Sequence, residues 1–81
     1  MTTEAAREAV LAIIQDISGK ESLPPVDGAV SLRDQLSLDS MDFLDIVMEL
    51  RKRYKVEVPE ADYRELATLD SAVAYLQPRL P

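Results

Sequence analysis

The sequence predicts an all-α fold: a small four-helix bundle, made of three main helices plus a short third helix, with a long loop between helices 1 and 2. Three observations predict it. Val10, Ile13, Ile14 and Ile17 recur at i, i+3, i+4 and i+7, and Leu69, Ala72, Val73 and Leu76 repeat that spacing near the other end. Residues 40–54 carry an apolar arc wide enough to touch several neighbours. The chain has 81 residues, which is one domain over 1–81 and leaves helix packing as its main source of a core.

The first helix starts where Thr2 or Thr3 can cap it and Glu4 meets its positive end, and Gly19 suits the position just past its C-terminus. Residues 19–38 have weak periodicity. Pro24-Pro25 and Asp27-Gly28 are breakers, and Leu23, Val26, Val30, Leu32, Leu36 and Leu38 are scattered among them. This reads as a long ordered loop pinned by apolar residues, with a helical turn near 31–36. A loop of this length inside a compact domain points to a function, and this one leads to Ser40.

The helix over 40–54 has Leu44, Val47 and Met48 on one face, Phe43, Ile46 and Leu50 on an adjoining one, and Tyr54 below. Asp39 is its N-cap, and Asp42 at N3 makes a capping box with Asp where Glu or Gln is preferred. Pro59 keeps Val56-Glu57-Val58 extended. Glu60–Leu66 is the short third helix, Thr68 caps the last, and Pro78 ends it.

Composition excludes much. With no cysteine and no histidine, the chain lacks disulfides, thiolate nucleophiles, ordinary zinc sites and the usual neutral-pH base. No nucleophile–base pair of the common kind can be assembled, so the chain reads as a non-enzyme. Fifteen acids against nine bases give a net charge of −6, which disfavours nucleic acid and anionic lipid and favours partners with basic patches. No apolar run approaches the ~20 residues of a membrane span, and the N-terminus lacks the parts of a signal peptide. The expectation is a cytoplasmic monomer without membrane insertion. Asp34 and Asp39 supply too few oxygen ligands for a metal site.

Function concentrates around Leu36-Ser37-Leu38-Asp39-Ser40-Met41-Asp42. Ser40 begins a helix entered from a long loop, so its side chain is open to other proteins. An anion bonded to it would meet unpaired N–H groups and the positive helix end. Asp39, Asp42, Asp45 and Glu49 line the start of this helix, and no Lys or Arg lies between Asp34 and Glu49. Taken locally, the pattern reads equally as ordinary capping chemistry.

Asp39-Ser40-Met41-Asp42 resembles the attachment motif of the acyl carrier protein family. The likeness continues through Leu44, Val47-Met48, Leu50, Tyr54, Glu57-Val58-Pro59 and the run from Thr68 to Leu76, covering roughly residues 5–77. It implies a 4'-phosphopantetheine arm, taken from coenzyme A and bonded to Ser40, with Asp39 and Met41 flanking it. The arm would carry acyl intermediates as thioesters to fatty-acid, polyketide or lipid-modifying enzymes. Implied partners are a holo-acyl-carrier-protein synthase (a phosphopantetheinyl transferase) and acyl-activating, condensing or acyltransferase enzymes. Asp42, Asp45 and Glu49 map onto the family's recognition helix, with Arg51 and Arg53 at its far end. Phe43, Ile46, Leu50, Tyr63, Leu66, Ala72 and Tyr75 are candidates to line a shelter for the acyl chain, and each serves equally as core.

The chain departs from the family in three places. Ser37 stands where glycine is frequent, Met41 replaces a usual leucine, and Arg51-Lys52-Arg53 with Lys55 brings cations where fatty-acid carriers stay acidic. Those cations suit a helix C-terminus, or they alter the partner surface of a specialised carrier. Two rivals remain: an aminoacyl, peptidyl or D-alanyl carrier, and an unmodified helical interaction domain. The first usually shows a Gly-Gly pair before the motif, which Leu36-Ser37-Leu38 lacks.

Overall fold

The structure, a computed structural model, describes residues 1–19 and 21–81. Lys20, inside the loop expected over 19–38, lies outside the described residues. Among the described residues four α-helices and one 3₁₀ helix follow in the order α1 (Thr3–Ser18), α2 (Leu32–Leu36), α3 (Ser40–Tyr54), the 3₁₀ helix (Glu60–Leu66) and α4 (Leu69–Leu76). The all-α bundle expected from the helical stripes is therefore present. No described helix is long and apolar enough to cross a membrane.

In α1 the Thr2 hydroxyl accepts from the Ala5 N–H at 3.1 Å, and Gly19 closes the helix at φ 71°, the left-handed region where glycine carries no Cβ penalty. Ala6, Val10, Ile13 and Ile14 form its buried stripe, which packs against α3 and α4. The loop that follows is ordered by side chains acting on backbone. Gln35 Nε2 donates to the carbonyls of Asp27 and Val30 at 2.7 and 3.0 Å, and Gln35 Oε1 accepts from the Asp27 N–H at 3.0 Å. The loop is also bonded to the start of α4. The Leu32 N–H donates to the Ala67 carbonyl at 2.8 Å, and the Asp70 N–H donates to the Gly28 carbonyl at 3.0 Å. At Gly28 a Cβ would lie 2.1 Å from Asp70 Oδ1, so a larger residue there would make the exposed Asp70 carboxylate swing aside. Leu32, Leu36 and Leu38 enter the core and hold α2 beneath Ser40.

The short third helix predicted over 60–66 takes the 3₁₀ form. Its N-terminal residue Pro59 makes no side-chain cap bond, and a 3₁₀ helix of seven residues stacks Glu60, Tyr63 and Leu66 in one row, which drives Leu66 into the core. Val56 and Val58 alternate inward from the extended stretch before it, with Glu57 outward. In α4 Thr68 and Ser71 form a reciprocal capping box. The chain ends are tied together: the Met1 amino group donates to the Leu80 carbonyl at 3.1 Å and Gln77 Nε2 to the Met1 carbonyl at 2.7 Å. Among the described residues no polar or charged residue is buried.

One expectation needs correction. The arc of α3 is not covered all round. Phe43, Ile46, Val47, Leu50 and Tyr54 face the core, but Leu44 is 42% exposed, Met48 65% and Met41 64%. The short α2 and the 3₁₀ helix are too small to wrap the outer side of a fifteen-residue helix.

Candidate functional site at the start of α3

Asp39, in extended conformation, is the last residue before α3. Its Oδ1 accepts from the Asp42 N–H at 2.9 Å, and Asp42 Oδ2 accepts from the Asp39 N–H at 3.0 Å. The capping box thus closes with Asp at N3, because the shorter side chain still reaches its target. Ser40 is the first helical residue and is exposed. Among the described residues the N–H groups of Ser40 and Met41 have no acceptor within the chain. Two free donors at a positive helix end favour an anion there.

The approach to Ser40 is set by Ser37. It ends α2 at φ 55° and ψ 41°, in the left-handed region, and its N–H donates to the Arg33 carbonyl. Serine therefore adopts the bend that glycine would take without strain, and the departure at this position leaves Ser40 at a helix start.

Ser40 opens on a depression of about 490 Å³ between α3 and the 3₁₀ helix. Phe43, Leu44, Tyr63 and Ala67 give it apolar walls, and Arg33 from α2 and Arg64 from the 3₁₀ helix also line it. Among the described residues neither arginine has an ion-pair partner. Glu60 is the one acid in the lining. Neither arginine stands out in the sequence near Ser40, because the two lie 31 positions apart; the available signal was Arg33 as the one cation between Lys20 and Arg51.

The other candidate residues divide by position. Phe43 and Tyr63 border the depression, whereas Ile46, Leu50, Leu66 and Ala72 are packed in the closed core. Tyr75 is buried too, with its hydroxyl donating to Asp62 Oδ2 at 2.6 Å. That hydrogen bond, then burial, raises the Tyr75 pKa above the ordinary phenol value. Arg79 stacks on its ring, 3.9 Å from the centroid.

The charged candidates on α3 also separate. Asp42 is engaged in the cap, while Asp45 is exposed and has no partner among the described residues. Glu49 accepts from Arg53 Nε at 3.0 Å, and Arg53 Nη2 reaches Asp16 of α1 at 2.6 Å. Arg53 thus joins α1 to α3, and the Asp16 hydrogen bond raises its pKa. Arg51 lies 3.6 Å from Glu57, with both side chains exposed.

An exposed hydroxyl at a helix start with unpaired N–H groups, beside a depression lined in part by two arginines, fits a covalently held phosphodiester. The family model for the phosphopantetheine attachment site matches residues 8–76 of this chain.

Proposed function

The chain belongs to the phosphopantetheine attachment site family of carrier proteins, and we propose that Ser40 bears the arm and that the cargo is acyl. Membership brings a covalent 4'-phosphopantetheine and, in general terms, a phosphopantetheinyl transferase and acyl-handling enzymes as partners. The arm supplies a terminal thiol that holds cargo as a thioester. Carrier domains of this kind are typically non-catalytic.

The observation that carries the reading is the exposed Ser40 hydroxyl at N1 of α3, above two unpaired N–H donors and beside the Phe43–Tyr63 depression. Asp39 holds the helix start open through its cap, so Ser40 is presented in one geometry. Ser40 and Met41 supply N–H groups to a bonded phosphate, and Arg33 and Arg64 add positive charge near it. The apolar walls suit an acyl chain. Cargo lodged in this depression would meet Arg33 and Arg64, whose positive charge is unfavourable to an ammonium, and this supports acyl cargo over the aminoacyl alternative. A cytoplasmic carrier fits this reading, because priming needs coenzyme A.

Incubation with coenzyme A and a broad-specificity transferase is expected to add the mass of one arm to the wild type and nothing to Ser40→Ala, whose circular dichroism stays helical. An equal mass gain on both proteins rules Ser40 out. Loading by acyl-activating but not aminoacyl-activating enzymes checks the cargo.

A further inference from the structure

Two long segments of the chain carry one cation each. Residues 21–50 hold seven acids and Arg33, and residues 56–78 hold five acids and Arg64. The fold brings both lone arginines to the wall of one depression, the one on which Ser40 opens. Glu60, the one acid of that lining, stands four positions before Arg64, a spacing that pairs charges on an α-helix. The 3₁₀ form, with three residues per turn, sets the two about 120° apart around the axis. Among the described residues Arg64 and Glu60 form no ion pair, and Arg33 has no partner either.

Two arginines are more than the arm alone needs. A phosphodiester carries a single negative charge, and at Ser40 it meets the unpaired N–H groups of Ser40 and Met41 first. The rest of the depression is mixed in character. Phe43, Leu44 and Tyr63 offer apolar surface, while Ile46, Leu50 and Leu66, each at most 2% exposed, close the core behind them. Cargo lying here stays at an open surface, with its far end in reach of water. A wholly apolar chain gains only partial burial from such a site. A chain that ends in a carboxylate lays its methylene groups on the apolar wall and keeps that end hydrated. It also gains the arginines, whose planar forks match a carboxylate. The volume of about 490 Å³ lies in the range of small-ligand sites.

We propose that the acyl group carried on Ser40 bears a second carboxylate at its far end, as a dicarboxylic acid held by one carbonyl in the thioester, and that Arg33 and Arg64 select it. The inference rests on the carrier reading, since the cargo reaches the depression on the arm of Ser40.

The test uses the full chain. A broad-specificity transferase places the whole acylated arm on Ser40 from adipyl-, methyl adipyl- or hexanoyl-coenzyme A, and mass spectrometry counts the arms. Cleavage of each thioester by hydroxylamine is timed and divided by the rate for the same thioester on free pantetheine. Adipyl is expected to be cleaved about threefold more slowly than its methyl ester or hexanoyl, as an exposed carboxylate–arginine pair would give. In Arg33→Gln/Arg64→Gln that protection should disappear, while the two neutral cargoes keep their rates. Lys52→Gln/Lys55→Gln removes the same charge outside the depression and should keep the protection. Circular dichroism should show both variants folded. Equal rates for the three cargoes on the wild type, or a change common to all three in the arginine variant, limits the arginines to the arm's phosphate and overturns the proposal. An equal loss of adipyl protection in the lysine variant overturns it too. An arm on the wild type but not on Ser40→Ala, without selective protection, defeats the cargo class alone. An arm absent from the wild type, or present on Ser40→Ala, defeats the Ser40 reading and the cargo class with it.

Discussion

Ser37 sits at φ 55° with a Cβ that crowds the backbone, a strain that glycine lacks. The residue is exposed, so nothing in the core compensates. Ser37→Gly is expected to relieve the strain while adding freedom to the unfolded chain, for a net gain of up to about 1 kcal/mol in urea denaturation. An equal or larger loss would show that the serine is not strained. Tyr75 makes a pH-dependent contribution. Its folded pKa is raised, first by the hydrogen bond to Asp62, so its contribution is complete below the ordinary phenol pKa near 10 and is lost as pH rises through the raised value. Melting temperatures above about pH 10 should therefore fall less steeply in Tyr75→Phe than in the wild type. Parallel curves would remove this hydrogen bond from the alkaline transition.

At the scale of elements, α3 shows what local chemistry can predict. Its bounds follow from Asp39 at the N-cap and from the apolar spacing through Tyr54, and both are short-range features. Asp39→Ala removes one half of the reciprocal cap, so chemical denaturation should show a loss of about 1 kcal/mol. No measurable loss would mean that Asp42 sustains the helix start alone. The short elements were less legible. Residues 60–66 read as a helix, but α-helical and 3₁₀ turns differ by one residue in hydrogen-bond span, and which one forms depends on how Leu66 reaches the core. Likewise α2 was visible only as a turn near 31–36, because Leu32 and Leu36 carry too little periodicity to mark five residues as a helix.

At the scale of the whole molecule, two leucines that look alike in sequence have opposite roles. Leu32 lies in a segment of weak pattern yet is 1% exposed, and its N–H is bonded to the Ala67 carbonyl. Leu44 lies on the most strongly patterned helix yet is 42% exposed beside Ser40. Leu32→Ala should cost about 2–5 kcal/mol in equilibrium unfolding, against under about 1 kcal/mol for Leu44→Ala. Similar losses at both positions would show that the outer side of α3 is covered after all.

The sequence by itself determined the helical stripes, the caps at Asp39 and Thr68, and the place of Ser40 at the start of α3, because each rests on residues within a few positions of one another. Only the tertiary structure decided which side of α3 stays bare, which of its acids remain free, and that Arg33 and Arg64 line one depression with Ser40. Those outcomes depend on how the loop bonds to α4 and how Arg53 bridges to Asp16. Both are contacts between distant segments, which periodicity and capping do not encode.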